Sequence, residues 1–218
     1  MTWGQLVLVR HGETEWSRAG RHTGLTDLPL TADGEDQARA TGRALAHRTF
    51  AAAFVSPLQR ARRTAELAGF PQAEVDPDLA EWDYGVVEGL SRTQVRENLG
   101  REWTIIPDGV RQALTISGTE DVAPELLNPN PGDGELLEEV AARAARVISR
   151  IEVTLKDGGD VLLVAHGHFL RIFTTTWLEK HADLAERLAL GTAAHCVLGY
   201  DRGTRSLVHW NVLPDLFA

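Results

Sequence analysis

A single cysteine, Cys196, stands in the whole chain, so an internal disulfide cannot form and a cysteine-built metal site cannot be assembled. It lies in the apolar run Cys196-Val197-Leu198, the setting of a buried, inert thiol rather than a nucleophile. No apolar stretch approaches the ~20 residues needed to cross a bilayer. The chain runs from Met1 straight toward a strand, without the basic flank, apolar core and cleavage site of a signal peptide. A soluble, cytoplasmic protein with no membrane partner is expected. Cations are also in deficit, with 22 Lys and Arg against 31 Asp and Glu and a net charge of −9. That balance argues against nucleic acid, which needs a basic stripe. It leaves room for a small phosphorylated metabolite, because screening over roughly 8 Å lets a few pocket arginines outweigh distant acids. Internal repeats and a second core are missing too, so residues 1–218 read as a single domain. Nothing in the sequence fixes an oligomeric state, and a homo-oligomer stays open.

What is present is an alternation of short apolar runs and helical periods. Leu6-Val7-Leu8-Val9 and Val161-Leu162-Leu163-Val164-Ala165 are continuous apolar runs, the mark of strands covered on both faces. A helix is expected from Thr31 to about Ala46, and another from Leu58 to about Ala68 with Gly69 as its stop. Phe54-Val55 ends a strand between them. Glu135 to Leu155 carries the longest helical period, through Val140, Ala144, Val147, Ile148 and Ile151. A helix follows His166-Gly167-His168, and two weaker strands lie near Cys196–Tyr200 and Ser206–Asn211. Strands separated by helices predict right-handed crossovers and a three-layer α/β/α sandwich around a mostly parallel sheet. Trp103 to Gly134 is long and rich in Pro, Gly, Asn and Asp. It reads as a lid or specificity insertion at about 103–134, with a plain surface loop as the alternative.

Ligands of open α/β sheets gather beyond the carboxyl ends of the strands. Three charged segments stand there: Arg10-His11-Gly12-Glu13-Thr14, Ser56-Pro57-Leu58-Gln59-Arg60 and Ala165-His166-Gly167-His168. Two histidines and two arginines on one rim suit a doubly negative group, and a phosphoryl group fits best. Imidazole is nucleophilic near neutral pH. Phosphoryl transfer spreads charge over equatorial oxygens, which guanidinium forks hold in pairs. Gly12 and Gly167, lacking side chains, are expected to offer backbone N–H groups to the anion.

Those segments, in this order and spacing over nearly the whole chain, resemble the signatures of the histidine phosphatase superfamily, which includes the cofactor-dependent phosphoglycerate mutases. The resemblance implies a phosphoglycerate mutase-like fold. It also implies His11 as the phosphorylated nucleophile, with Arg10, Arg60 and His166 holding the phosphoryl group. Neither metal nor cofactor is implied, and no metal-ligand spacing occurs. Leu79-Ala80-Glu81-Trp82-Asp83-Tyr84-Gly85 matches the segment that carries the family's proton donor. By that match Glu81 is general acid and then base, with Asp83 as its competitor. Ser17 stands where many members have asparagine, and its hydroxyl is left to donate one hydrogen bond to phosphate. The runs Thr14 to Ser17 and Thr23-Gly24 to Thr31, with the segments around Tyr84 and His168, are similar to the sedoheptulose-1,7-bisphosphatase branch. They also resemble actinobacterial acid phosphatases of the superfamily. Thr23, Gly24, Tyr84, Gly167 and His168 are therefore expected to bind substrate, His168 at the pocket entrance.

His22 reads as a loop-surface histidine, with a place near the substrate beside Thr23 as the alternative, and Glu13 and Glu88 as structural carboxylates. Arg62 and Arg63 read as solvated. A phosphatase acting on small phosphomonoesters, sugar phosphates among them, is the leading expectation. A phosphoglycerate mutase is the alternative; it needs further cations after the Glu81 segment, where Leu90-Ser91-Arg92-Thr93 offers few. An inactive phosphoester-binding module is the second alternative, disfavoured because every histidine and arginine of the set is retained.

Overall fold

The computed structural model describes residues 3–111 and 132–215. Strand β1 (Leu6–Arg10) leads through a single helical turn, α1 (Glu15–Arg18), into α2 (Ala32–Leu45), β2 (Ala52–Val55) and α3 (Gln59–Leu67). A two-residue β3 (Glu74–Val75), α4 (Arg92–Leu99) and the short α5 (Ile105–Asp108) follow. Next come α6 (Leu137–Lys156), β4 (Val161–Ala165), α7 (Gly167–Trp177), β5 (His195–Asp201) and β6 (Thr204–Val212). The strands form one sheet in the order β3-β2-β4-β1-β5-β6. β3, β2, β4 and β1 pair in parallel, while β5 runs antiparallel to both β1 and β6.

Alternation along β1 separates the two faces of the sheet. Leu6 and Leu8 join the larger core with Val140, Val147 and Ile151 of α6 and Phe169 and Phe173 of α7. Val7 and Val9 join the smaller one with Leu45 of α2 and Ala61 and Ala65 of α3. Helices on both faces give the expected three layers, and burial on both sides explains why β1 and β4 read as unbroken apolar runs. Helix α2 starts where expected, with the Thr31 hydroxyl accepting from Gly34 N–H at 3.0 Å. Its first turn lies on the loop after β1, since a Cβ on Gly12 would come within 2.2 Å of the Gly34 carbonyl oxygen. Glycine is required at position 12 for this backbone approach.

The 103–134 stretch does not begin as a surface loop. Trp103, Ile105, Ile106 and Val110 are buried in the larger core, and Gly134 lies against Asp83 and Gly85. Residues 112–131 of the expected lid fall outside the described residues. Among the described residues no helix is long and apolar enough to cross a membrane.

Candidate active site

Strand register assembles the site. Arg10 pairs with Ala165 across β1 and β4, and Val55 pairs with Val164 across β2 and β4. The next residues out, His11, His166 and Ser56, therefore emerge side by side at the carboxyl edge. The rings of His11 and His166 have centroids 5.1 Å apart. Ser56 Oγ lies 2.6 Å from His166 Nε2.

His11 is almost fully buried, with Nδ1 at 2.7 Å from the Gly12 carbonyl oxygen. A carbonyl only accepts, so Nδ1 carries the proton and Nε2 keeps its lone pair. Burial, followed by the Arg60 and Arg10 charges, pushes the His11 pKa well below the usual imidazole range; the Gly12 hydrogen bond acts the other way. The ring is thus neutral at pH 7, with the Nε2 lone pair unprotonated. His166 is driven down in the same way, by burial, Arg60, His11 and Arg10. It is uncharged at neutral pH, and a bound anion would favour its protonation.

Arg60 is completely buried, donating through Nη1 to Thr26 O (2.9 Å) and through Nη2 to Thr23 O (3.1 Å) and Gly24 O (2.7 Å). Arg10 donates through Nη1 to Leu190 O at 2.6 Å. Burial lowers both guanidinium pKa values and Glu81 draws them back up. Arg10 Nε, Arg60 Nε and His166 Nδ1 are buried with no hydrogen-bond partner among the described residues. Groups of this kind are costly to leave unpaired, and an anion beside His11 would satisfy the two guanidinium N–H groups.

Glu81 is buried at the start of α7. Its Oε1 accepts from Trp82 N and Phe169 N, both at 2.9 Å, and its Oε2 from His168 N at 3.1 Å. Arg143 of α6 holds the preceding chain through Asp78 O (2.7 Å), Ala80 O (3.0 Å) and Glu81 O (3.3 Å), while its fork grips the Glu135 carboxylate. Asp83 points elsewhere: Oδ1 accepts from Gly85 N at 3.0 Å, and the residue is absent from the cavity wall.

That wall encloses about 460 Å³ and includes Arg10, His11, Ser17, Thr23, Glu81, Tyr84, Gly167 and His168. Several expectations change here. Gly24 lies behind the wall against Trp82 and Glu88, where its carbonyl positions Arg60. Ser17 faces the cavity, but its hydroxyl donates to Thr14 O (3.0 Å) and accepts from Thr14 N (2.9 Å), capping α1 instead of awaiting phosphate. The Gly12 N–H is likewise committed, to Thr64 Oγ1 at 3.0 Å. Gly167 lets Arg10 lie against the helix start, since an added Cβ would sit 3.2 Å from Arg10 Nε. Glu88 accepts from Thr26 N at 2.5 Å and Glu13 from the Thr31 hydroxyl at 3.0 Å, both structural as expected. Arg63 spans Glu35 and Glu66 on the outer side of α3.

The charged and aromatic part of the wall extends beyond the expected site residues. Arg21, His22, Arg92 and Arg171 all line the cavity; beyond Arg92, its added cations come from outside the region after the Glu81 segment, Arg21 from the loop between α1 and α2 and Arg171 from α7. Arg171 was detectable: it lies three and four residues after His168 and Gly167, on one face of α7. Arg92 opens α4 behind the Ser91 cap, and Arg21 is bridged to Ser91. That pairing of distant loops leaves no sequence signal. His22 is half-buried between the rings of Tyr84 and Trp103. Cys196 is buried as expected, its pKa raised by burial to about 11. Among the described residues no group of three or more His, Cys, Asp or Glu side chains is arranged to hold a metal ion.

A parallel-sheet rim that surrounds a neutral histidine with buried, unpaired cationic donors defines a phosphoryl-handling α/β protein. The chain belongs to the histidine phosphatase superfamily (branch 1), whose family model matches residues 6–213. It is 35% identical to an acid phosphatase of Mycobacterium tuberculosis over 93% of this chain and 90% of that protein. It is 32% identical to sedoheptulose 1,7-bisphosphatase of Saccharomyces cerevisiae, over 84% of this chain and 72% of the relative. Relatives named 2,3-bisphosphoglycerate-dependent phosphoglycerate mutase match as well, that of Mesorhizobium japonicum at 34% identity over 86% of this chain and 87% of its own length. The solved structure of a Mycobacterium tuberculosis open reading frame superposes with a TM-score of 0.82 at 33% identity, covering 96% of this chain and 98% of that one.

Proposed function

We propose that this histidine phosphatase hydrolyses small phosphomonoesters, sugar phosphates foremost, through a phosphohistidine on His11. The observation that carries the reading is the neutral His11 ring, its Nδ1–H held by Gly12, among the unpaired Nε–H groups of Arg10 and Arg60. His11 Nε2 attacks phosphorus, the ester P–O bond breaks, and Glu81 delivers a proton to the leaving oxygen. Water then attacks the phosphohistidine, Glu81 takes a proton back, and inorganic phosphate leaves with His11 neutral again. Glu81 Oε2 accepts from His168 N alone among the described residues, so it can carry the proton toward the ester oxygen while that bond stays in place. Arg10, Arg60 and a His166 that becomes protonated with the bound dianion balance the transferring group. No metal enters the steps.

Arg21, Arg92 and Arg171 give the cavity cations beyond those needed for one phosphoryl group. They support a substrate with a second anionic group, in keeping with the bisphosphate named for the yeast relative. The same cations favour mutase chemistry as the second reading. A small phosphorylated metabolite met in the cytoplasm is the partner this reading assigns. The test is phosphate release from p-nitrophenyl phosphate and a panel of sugar phosphates by wild type and His11→Ala, beside 3-phosphoglycerate isomerisation primed with the bisphosphate. His11-dependent phosphate release supports hydrolysis. Rapid isomerisation without free phosphate establishes the mutase, and equal rates for wild type and variant leave an inactive binding module.

A further inference from the structure

The loop that carries His11 is anchored one peptide at a time. Ala193 N donates to His11 O at 3.0 Å, and Gly12 N to the buried Thr64 hydroxyl at 3.0 Å. Further on, Thr31 N donates to Glu13 O at 2.9 Å, and Thr14 N to Ser17 Oγ at 2.9 Å. The peptide between these anchors, Gly12–Glu13, is held by two side chains alone among the described residues. Its carbonyl accepts from His11 Nδ1 at 2.7 Å, and its N–H donates to Gln37 Oε1 at 3.0 Å. A backbone N–H only donates, which sets the Gln37 amide with its oxygen toward the loop.

Gln37 reaches the loop because α2 presses against it. It follows Gly34 by three residues, on the same face of the helix. A Cβ on Gly34 would sit 2.1 Å from Glu13 O, so the glycine lets the two segments come this close. Gln37 is half-buried and absent from the cavity wall, so whatever it does for the reaction it does through the loop. Hydrogen bonds in line across one amide polarise each other. An acceptor on the N–H makes the carbonyl a stronger acceptor for the Nδ1 proton, and the bond on Nδ1 decides which ring nitrogen keeps its lone pair.

We propose that Gln37 is the positioning residue of the nucleophile. It fixes and polarises the Gly12–Glu13 amide, which holds the His11 proton on Nδ1 and leaves Nε2 electron-rich for attack. The proposal rests on the phosphatase reading above and deepens its first step.

Two variants separate polarisation from packing. Gln37→Met keeps the length of the side chain and removes the acceptor; Gln37→Glu keeps the shape and accepts more strongly. Rapid quench measures the rate at which p-nitrophenyl phosphate phosphorylates His11, and proton NMR of the free enzyme follows the His11 Nδ1–H resonance. Calorimetry in the His11→Ala background gives the Kd of the same ester. Gln37→Met is expected to slow phosphorylation about tenfold with Kd unchanged, and to move the Nδ1 proton upfield. Gln37→Glu is expected to stay within about threefold of the wild-type rate and to move the proton downfield. Wild-type phosphorylation by Gln37→Met, or Nδ1 shifts of the same sign in both variants, overturns the proposal. Should Gln37→Met not fold, an unmoved Nδ1 proton in Gln37→Glu overturns it equally. Absence of phosphate on wild-type His11 counts against the phosphatase reading instead, and the Nδ1 resonance still decides what Gln37 does.

Discussion

Glu81 shows how one side chain can be identified by what binds it. Asp83 is two residues away and equally ionisable, yet only Glu81 lines the cavity with His11. Three backbone N–H groups fix its carboxylate at the start of α7. If it protonates the leaving oxygen, Glu81→Gln slows esters with poor leaving groups by about 10²-fold or more. Esters of acidic phenols, which need little protonation, lose far less. Steady-state kcat/KM over a leaving-group series measures the contrast, and equal losses across the series reject the role. Ser17 carries the opposite lesson: a residue in a matching motif position spends its hydroxyl on Thr14.

At the level of elements, α6 does more than cover the sheet. Arg143 ties it to three carbonyls of the segment ending at Glu81, and its guanidinium stacks over the Phe169 ring at 5.1 Å. Lysine cannot reproduce that fork. Arg143→Lys should lower kcat by about tenfold, steepen the leaving-group dependence seen with Glu81, and leave KM for phosphate esters nearly unchanged. A uniform change in KM with intact kcat means that Arg143 does not position Glu81. The elements legible in sequence were those with a burial pattern. Leu6–Val9 and Val161–Ala165 are apolar throughout because both faces are covered, and α6 repeats its apolar residues every three to four positions. β3 escaped notice because Glu74 and Val75 are both exposed. α4 escaped because Val95 is its one buried residue, although Ser91 and Gln94 form a capping box at its start. The phosphoryl cluster was readable because it follows strand ends. The outer rim of Arg21 and Arg92 was not, since it depends on one loop pairing with another.

For the molecule as a whole, the site is a stability liability with a definite pH dependence. His11, His22, His166 and His168 all have pKa values lowered chiefly by burial. The unfolded chain protonates these rings near pH ~6.5 while the folded chain resists. Their contribution to stability is therefore complete above that pH and lost as the pH falls, down to about 4 for His22. The slope approaches ~1.4 kcal/mol per pH unit for each ring. Glu88 and Asp83, with pKa values raised by burial, act in the opposite sense within the carboxylate range. Melting temperature should drop between about pH 7.5 and about pH 5.5, and added phosphate should raise it and flatten the drop by favouring a charged His166. A melting temperature that is flat or rising toward acid contradicts this assignment of neutral rings. The proposed acceptance of a phosphoryl group by His11 is directly measurable. Enzyme mixed with p-nitrophenyl phosphate, quenched in alkali and digested for mass spectrometry should carry an acid-labile phosphate on His11. Turnover that continues with no phosphate on His11 at any quench time, or with the label on another residue, contradicts the account.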